Sequence, residues 1–279
     1  MKKFVKLLSA LLVFTVLVCG LVACGEGEDN TSPGEDRIVY TPIKDGTEYE
    51  VSDYIGSSTS ITIPSTHKGK SVTSIGTRAF FNNDSLISIT IPNTITSIGK
   101  RAFYSCDALK AIVFGDNSQL ISIGQYAFSS CDALTSIDIP TNVTIISDYA
   151  FCDCDSLTTI SIPDGVTQIG KNTFHSCNAL TSITIPSSIT SIGSWAFYNC
   201  YALTSITIPD GVTQIDNDAF HSCTSLTSVS IPSSVTSVGK RAFYFCTSLT
   251  IYCEATSTPS GWSEYWNYSD CPVVWGYEE

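Results

Sequence analysis

Between Leu180 and Leu203 the apolar residues fall into three short groups separated by small polar ones. Leu180, Ile183 and Ile185 form the first, closed by Pro186; Ile189 and Ile192 form the second, closed by Gly193; Ala196, Phe197 and Cys200 form the third, and Leu203 restarts the series. In the first group Ile183 and Ile185 alternate with Ser182 and Thr184, the period-2 pattern of a strand buried on one face. Proline cannot pair onward, and the two-residue links Asp164-Gly165, Ser187-Ser188, Asp210-Gly211 and Ser233-Ser234 predict a tight turn after each strand. The second group predicts another short inward segment. In the third, the i, i+1, i+4 spacing of residues such as Ala102, Phe103 and Cys106 predicts a short helical turn with that face inward.

The series repeats along most of the chain. Phenylalanine marks one phase at Phe80, Phe103, Phe128, Phe151, Phe174, Phe197, Phe220 and Phe243, in steps of 23 residues except one of 25 between Phe103 and Phe128. A unit this short buries its apolar face only by stacking on its neighbours, so the expected fold class is a repeat solenoid, a β-solenoid of short strands and short helical turns. Residues 38–79 form an N-terminal cap and first irregular repeat, with Ile61, Ile63, Val72 and Ile75 in the pattern and Val39, Tyr40, Ile43, Tyr49, Val51, Tyr54 and Ile55 available to cover the open first rung. Residues 80–253 hold the repeats, and residues 254–279 form an aromatic C-terminal cap with Trp262, Tyr265, Trp266, Tyr268, Trp275 and Tyr277. Residues 164–186 closely resemble 210–232, and 187–203 resemble 233–249, as if a 46-residue block had been duplicated.

The Leu-x-x-Ile-x-Ile-Pro strand, the Val-Thr-x-Ile-Gly link and the Ala-Phe-x-x-Cys-x-x-Leu turn, as at Val235 to Leu249, resemble the leucine-rich repeats of BspA-type bacterial surface proteins over about residues 50–253. The resemblance implies a curved right-handed leucine-rich-repeat solenoid with strands on one side. It also implies attachment at a cell surface and binding of host matrix proteins. The family has no fixed binding-residue motif, so the resemblance assigns no site residue.

The third group carries seven cysteines in one phase: Cys106, Cys131, Cys154, Cys177, Cys200, Cys223 and Cys246, with Asn83 in the first unit. One thiol per rung, at roughly 5 Å spacing, cannot converge on one metal ion as a ligand set must, so a ladder of buried thiols is expected and no metal or other cofactor. His175 and His221 stand two rungs apart with Tyr198 between them, which argues against a shared ion. Cys253 and Cys271 fall outside the ladder and are candidates for a disulfide clamping the C-terminal cap, Cys253 being equally suited to simple burial. No nucleophile with its base, paired carboxylates or phosphate loop stands out, so catalytic residues are not expected and the protein is read as not an enzyme.

Residues 1–23 have a basic start (Lys2, Lys3, Lys6) and an apolar stretch from Leu7 to Leu21, as in a secretory signal peptide. Leu21-Val22-Ala23-Cys24 looks like a lipobox, which makes Cys24 the expected lipidation site and mature N-terminus. Two or three acyl chains there, at about 0.8 kcal/mol per buried methylene, would hold the protein on a bilayer. Residues 24–37 then read as a lipidated acidic tether. The formal net charge of −12 becomes about −15 once the three leader lysines are removed, which argues against nucleic acid and against anionic headgroups as partners.

Two exposed columns are candidates for recognition. The strand column, Ser88, Ser136, Thr159, Ser182, Ser205 and Ser228 beside Thr90, Asp138, Ser161, Thr184, Thr207 and Ser230, makes a hydroxyl-rich face suited to a glycan, an extended peptide or ice. The column after each phenylalanine and the one three residues earlier combine into an aromatic and arginine stripe: Arg101, Tyr104, His175, Trp195, Tyr198, His221, Arg241 and Tyr244. Helical i, i+3 geometry would pair Arg101 with Tyr104, Trp195 with Tyr198 and Arg241 with Tyr244. Tyr, Trp and Arg are enriched in binding hot spots, which makes this stripe the preferred face. The expected function is that of an extracytoplasmic, surface-exposed, lipid-anchored binding protein that recognises a protein or glycan. The alternatives are a self-associating envelope protein without a host ligand and, more remotely, an ice-binding hydroxyl face.

Overall fold

The computed structural model describes residues 36–278. The leader, Cys24 and the tether up to residue 35 lie outside the described residues. The rest is a leucine-rich-repeat β-solenoid of about 10 turns.

An antiparallel hairpin, Arg37–Ile43 with Glu48–Ile55, opens the fold, and its second strand pairs in parallel with Lys70–Ile75. That ladder continues through Ser97–Ile98, Ser122–Ile123 and Ile145–Ile146. The matching two-residue strands of later rungs run from Gln168–Ile169 to Ser237–Val238. The other side carries the longer strands: Ser60–Thr62, Ser88–Ile91 and Ala111–Phe114, then the run from Ser136–Ile137 through Ser182–Thr184 and Ser228–Ile231 to Val273–Trp275. Pairing joins residues one repeat apart, as in Ile160 with Ile183, Ile192 with Ile215 and Ile206 with Val229. The alternation read from the sequence is therefore realised: Ile183 is buried while Ser182 and Thr184 are exposed.

The third group does not form the expected helical turn. Its backbone alternates left- and right-handed residues: the second residue before each phenylalanine (Arg101, Trp195 and equivalents) has φ of 54° to 62°, and the second after it (Ser105, Asn199 and equivalents) has φ of 53° to 61°. This alternation turns every other N–H along the solenoid axis. Arg101, Phe103 and Ser105 donate to the carbonyls of Gln125, Ala127 and Ser129 at 2.8–2.9 Å, and the intervening Ala102 and Tyr104 close local turns onto Gly99 and Arg101. A helix would have spent all these groups within its own segment and left adjacent rungs unbonded. Ala, Phe and Cys still share the inward side.

Rung-to-rung pairing brings identical side chains into contact. The eight phenylalanines, Phe80 to Phe243, form a buried stack with ring centroids 5.0–5.8 Å apart and planes within 16° of parallel. Tyr54 covers the first ring at 5.6 Å and Trp266 meets the last edge-on at 6.3 Å. Beside them, each ladder thiol donates to the phenylalanine carbonyl of the preceding rung: Cys106 to Phe80, Cys154 to Phe128, Cys200 to Phe174 and Cys246 to Phe220, at 3.0–3.1 Å. Cysteine thus fills the space as a small apolar residue and gives the phenylalanine carbonyl a donor from the next rung, in addition to the backbone N–H that Phe174 and Phe220 already accept.

Cys253 and Cys271 are both free, so the candidate clamp is not formed. Cys271 belongs to the ladder after all. It follows Cys246 by 25 residues, the same step as Cys106 to Cys131, and its Sγ lies 3.6 Å from the Cys246 carbonyl oxygen. Cys253 ends the strand Thr250–Cys253 and is buried there, with Ile231 and Trp275 as its register neighbours. Trp262 completes the exit cap, donating through Nε1 to the Val235 carbonyl at 3.1 Å.

Two outcomes follow for stability. Phe197→Ala opens a hole in the middle of the stack and is expected to cost about 3–5 kcal/mol by denaturant titration, whereas Cys200→Ser keeps the donor and is expected to cost far less. Burial also holds the thiols of Cys106, Cys154 and Cys200 up to about 12 from the usual 9.0. As pH rises past about 9, the unfolded chain releases protons that the folded chain keeps, so stability is full below that value and falls toward pH 12. Melting temperature measured through this alkaline range is expected to drop steeply; a flat profile would show that the ladder thiols are not insulated from solvent.

Candidate binding surface along the outer turns

The left-handed residue before each phenylalanine and the residue after it lie on the outer turns in rows set by rung pairing; Phe81 is exposed, Tyr104, His175, Trp195, Tyr198 and Tyr244 are half-buried, and Ser129, Cys152, Asn172, Asp218 and His221 are buried, against the exposure expected of these columns. Two aromatic runs result. In the first, Phe81 stacks on Tyr104 at 5.3 Å, Tyr104 meets Tyr126 at 6.4 Å, and Tyr126 stacks on Tyr149 at 4.3 Å. Arg78 lies over Phe81, and Arg101 sits between Tyr104 and Tyr126 at 5.6 and 5.2 Å from the ring centroids. Ser129 and Cys152 occupy the column next and separate this run from the second, in which His175 stacks on Tyr198 at 4.9 Å, Tyr198 meets His221 at 4.5 Å and His221 meets Tyr244 at 5.0 Å.

Of the three expected i, i+3 pairs, Arg101 with Tyr104 is made. Trp195 instead lies under the Lys171 ammonium at 4.8 Å, Tyr198 is held between the two histidines, and Arg241 is engaged by Asp218. The reason is the turn geometry: side chains that a helix would set above one another in one rung find their partners in the adjacent rung.

Asp218 went unremarked in the stripe and proves central to it. It is only 2% exposed. Its carboxylate contacts Arg241 through Nε at 3.0 Å and Nη2 at 3.1 Å, and His221 Nδ1 lies 3.3 Å away. Burial keeps the His221 imidazole below its ordinary value against the opposing pull of Asp218, and burial likewise lowers His175. Both rings are therefore neutral at pH 7. In the duplicated block the positions of Asp218 and Arg241 are held by Asn172 and Trp195, so the charged pair and the neutral pair replace each other as sets.

Phe245, Tyr265 and Tyr268 extend the second run into the exit cap. Phe245 lies 4.1 Å from Tyr244, Tyr268 meets Tyr244 at 5.3 Å, and Tyr265 meets Tyr268 at 6.1 Å. The sequence signal for Phe245 was its column, which otherwise holds Asn82, Ser105, Ser130, Asp153, Ser176, Asn199 and Ser222.

The strand face is exposed as expected, with Ser182, Thr184, Ser205 and Thr207 open to solvent. A neighbouring threonine column is consumed by the scaffold: Thr181, Thr204 and Thr227 donate through Oγ1 to the preceding rung's carbonyl at 3.2–3.3 Å. Among the described residues no group of three or more His, Cys, Asp or Glu is placed to hold a metal ion.

The Asp218 pair yields a direct check. Arg241→Ala is expected to destabilise by roughly 1–3 kcal/mol in denaturant titration, because it strands a buried carboxylate. The double change Asp218→Asn with Arg241→Trp, reproducing the Asn172 and Trp195 set, is expected to recover most of that loss. A double variant no better than the single one would show that the pairing does not couple the rungs.

Comparison with known proteins agrees with this architecture. No curated protein matches. Among solved structures, a leucine-rich repeat protein from Bacteroides ovatus is 30% identical, with a TM-score of 0.64 over 87% of this chain and 70% of its own. A leucine-rich repeat protein from T. pallidum is 27% identical, with a TM-score of 0.55 over 76% of this chain and 87% of its own. The family model described as BspA type leucine rich repeat region matches in six copies over residues 53–178 and 144–260. With that model spanning most of the chain, and with the Phe and Cys ladders giving its repeat a physical basis, the protein belongs to the BspA-type leucine-rich-repeat family.

Proposed function

We propose that the protein is an extracytoplasmic recognition module, held on the bacterial envelope by lipid at Cys24, that retains a protein partner along the aromatic outer turns. The leader and the Leu21-Val22-Ala23-Cys24 sequence support the address, and the acidic stretch after Cys24 would serve as the tether to the bilayer. The observation that carries recognition is the second aromatic run from His175 to Tyr268. It is built of the residue types that dominate hot spots and is presented on a scaffold whose core does not need them.

Ring orientation favours a protein over a glycan along the middle of this run. His175 and Tyr198 are parallel within 3° and cover each other's faces, while Tyr198 with His221 and His221 with Tyr244 meet at 75° and 53°, so the run presents no continuous flat face. What the stack leaves to a partner is chiefly ring edges and the phenol ends, since Nδ1 of both His175 and His221 is buried. A pyranose stacks on an open face, whereas a protein surface uses edges and polar tips equally well. No catalytic role is proposed.

The full chain, solubilised in detergent and applied to an array of matrix proteins and glycans, is expected to retain a protein. Trp195→Ala combined with Tyr198→Ala is expected to weaken that retention by about tenfold with the melting temperature little changed. Equal retention by the double variant would remove the stripe as the binding face. In bacterial fractionation, Cys24→Ala is expected to move the protein from the membrane to the soluble fraction, and persistence in the membrane would disprove the anchor.

A further inference from the structure

Resting on that binding reading, we infer that the exit end of the stripe, centred on Phe245, is its principal hot spot. The partner segment it fits is a basic stretch of protein that places an aromatic, aliphatic or cationic side chain among the tilted rings of Phe245, Tyr265 and Tyr268.

Its column singles out Phe245. Its φ is +59°, in the left-handed region that every rung uses at this position. Asparagine and aspartate tolerate that region, and with serine they fill the column in all seven preceding rungs. An aromatic is the exception within this column, although Tyr126, Tyr149 and Trp195 carry the same left-handed φ in the column before each phenylalanine. Asn199 and Ser222 make the same turn, donating to the carbonyls of His221 and Tyr244, where Phe245 N–H instead meets the exit cap.

The side chain then gains little burial. Phe245 is 50% exposed, Tyr268 54% and Tyr265 44%, so three large aromatics lie open within one cluster. Scattered exposed hydrophobics are ordinary, but a contiguous group of them marks a contact surface. Phe245 is tied to the cap and to the preceding rung: its N–H donates to Ser269 Oγ at 2.9 Å, and its ring lies 5.7 Å from His221.

Ring geometry and charge select the partner. Here the rings are tilted: 34° between Tyr244 and Phe245, 78° between Tyr244 and Tyr268, 56° between Tyr265 and Tyr268. Such a set offers no flat platform for a sugar, but it accepts a single side chain between faces and edges, including an Arg or Lys cation. Glu264 and Asp270 flank Tyr265 and Tyr268 in the chain, which carries two basic residues from residue 240 onward. Those two are engaged internally, Arg241 by Asp218 and Lys240 over the Tyr265 ring at 5.3 Å. The uncompensated negative charge suits a Lys/Arg-bearing segment and would speed its encounter.

The test uses the immobilised full chain in detergent and four probe sets: Lys/Arg-rich peptides with one Trp, the same peptides with Ala for Trp, acidic peptides with one Trp, and neutral gluco-oligosaccharides. The first set is expected to bind tightest and to weaken with added salt. Phe245→Asn and Tyr268→Ser are each expected to lose about tenfold or more in affinity for it. Phe245→Asn is also expected to melt at the same or a higher temperature, since Asn suits the left-handed region. Unchanged peptide affinity in both variants, or no preference for the first set, overturns the inference, while retention of an array partner by the wild type leaves the binding reading intact. Oligosaccharide binding lost in the same two variants overturns the partner class. A wild-type chain that retains neither an array partner nor any peptide overturns the binding reading itself.

Discussion

Everything in this fold depends on the outer turns bonding along the solenoid axis. Three N–H groups per rung, at positions such as Arg101, Phe103 and Ser105, reach carbonyls of the next rung, and they do so because left-handed residues stand on either side of the Ala-Phe pair. Each such residue costs on the order of 1 kcal/mol, a cost offset by the hydrogen bonds it directs. Once the turns are in register, like residues must meet. The phenylalanine stack and the thiol-to-carbonyl ladder are consequences of that register. So is the glycine at Gly99, where an added Cβ would lie 2.7 Å from the backbone of Gly76 one rung back.

The 25-residue step between Phe103 and Phe128 shows how tightly the constraint is localised. Its two extra residues are absorbed between the strand Ala111–Phe114 and Leu120, away from the outer turn. There Asn117 takes a left-handed conformation, Ser118 is buried with its hydroxyl accepting from Leu120 N–H, and Asn93 and Asn142 donate side-chain amides to the carbonyls of Asp116 and Ser118. Amides from the rungs on either side thus satisfy the widened loop. Phe103 and Phe128 remain stacked at 5.2 Å across the insertion, so the ladder does not register it.

Much of this was legible in the sequence. Alternation placed Ile183 and Ile185 inward, and the Phe and Cys phases gave the two ladders. The helical turn was misread because Ala102, Phe103 and Cys106 converge inward in either geometry, so the apolar pattern alone does not distinguish them. The distinguishing signal was polar: Asn, Asp or Ser stands two residues after seven of the eight phenylalanines, and Asn and Asp tolerate positive φ. The helical misreading then carried into the site, pairing Trp195 with Tyr198 within a rung where the structure pairs Lys171 with Trp195 across rungs. Cys271 was misplaced because a 25-residue step in the cap hides its phase.

The duplicated blocks indicate where the chain is free to vary. Between residues 164–186 and 210–232, Phe174 and Phe220, Cys177 and Cys223, and Leu180 and Leu226 are the same, while Gly170-Lys171-Asn172-Thr173 has become Asp216-Asn217-Asp218-Ala219 on the outer turn. The next rung changes with it, Ser194-Trp195 becoming Lys240-Arg241 and Asn199 becoming Phe245. The Asp218 change is buffered by Arg241, which neutralises a carboxylate that would otherwise be buried alone. The Phe245 change has no such partner in the scaffold: it keeps the same left-handed backbone, gives up a residue suited to it and exposes half a benzyl ring. A stack held by backbone pairing tolerates this, because the turn is determined by hydrogen bonds to adjacent rungs and not by the side chain it displays. That separation of backbone-determined register from freely chosen outer side chains lets one repeated scaffold carry a surface found at one end only.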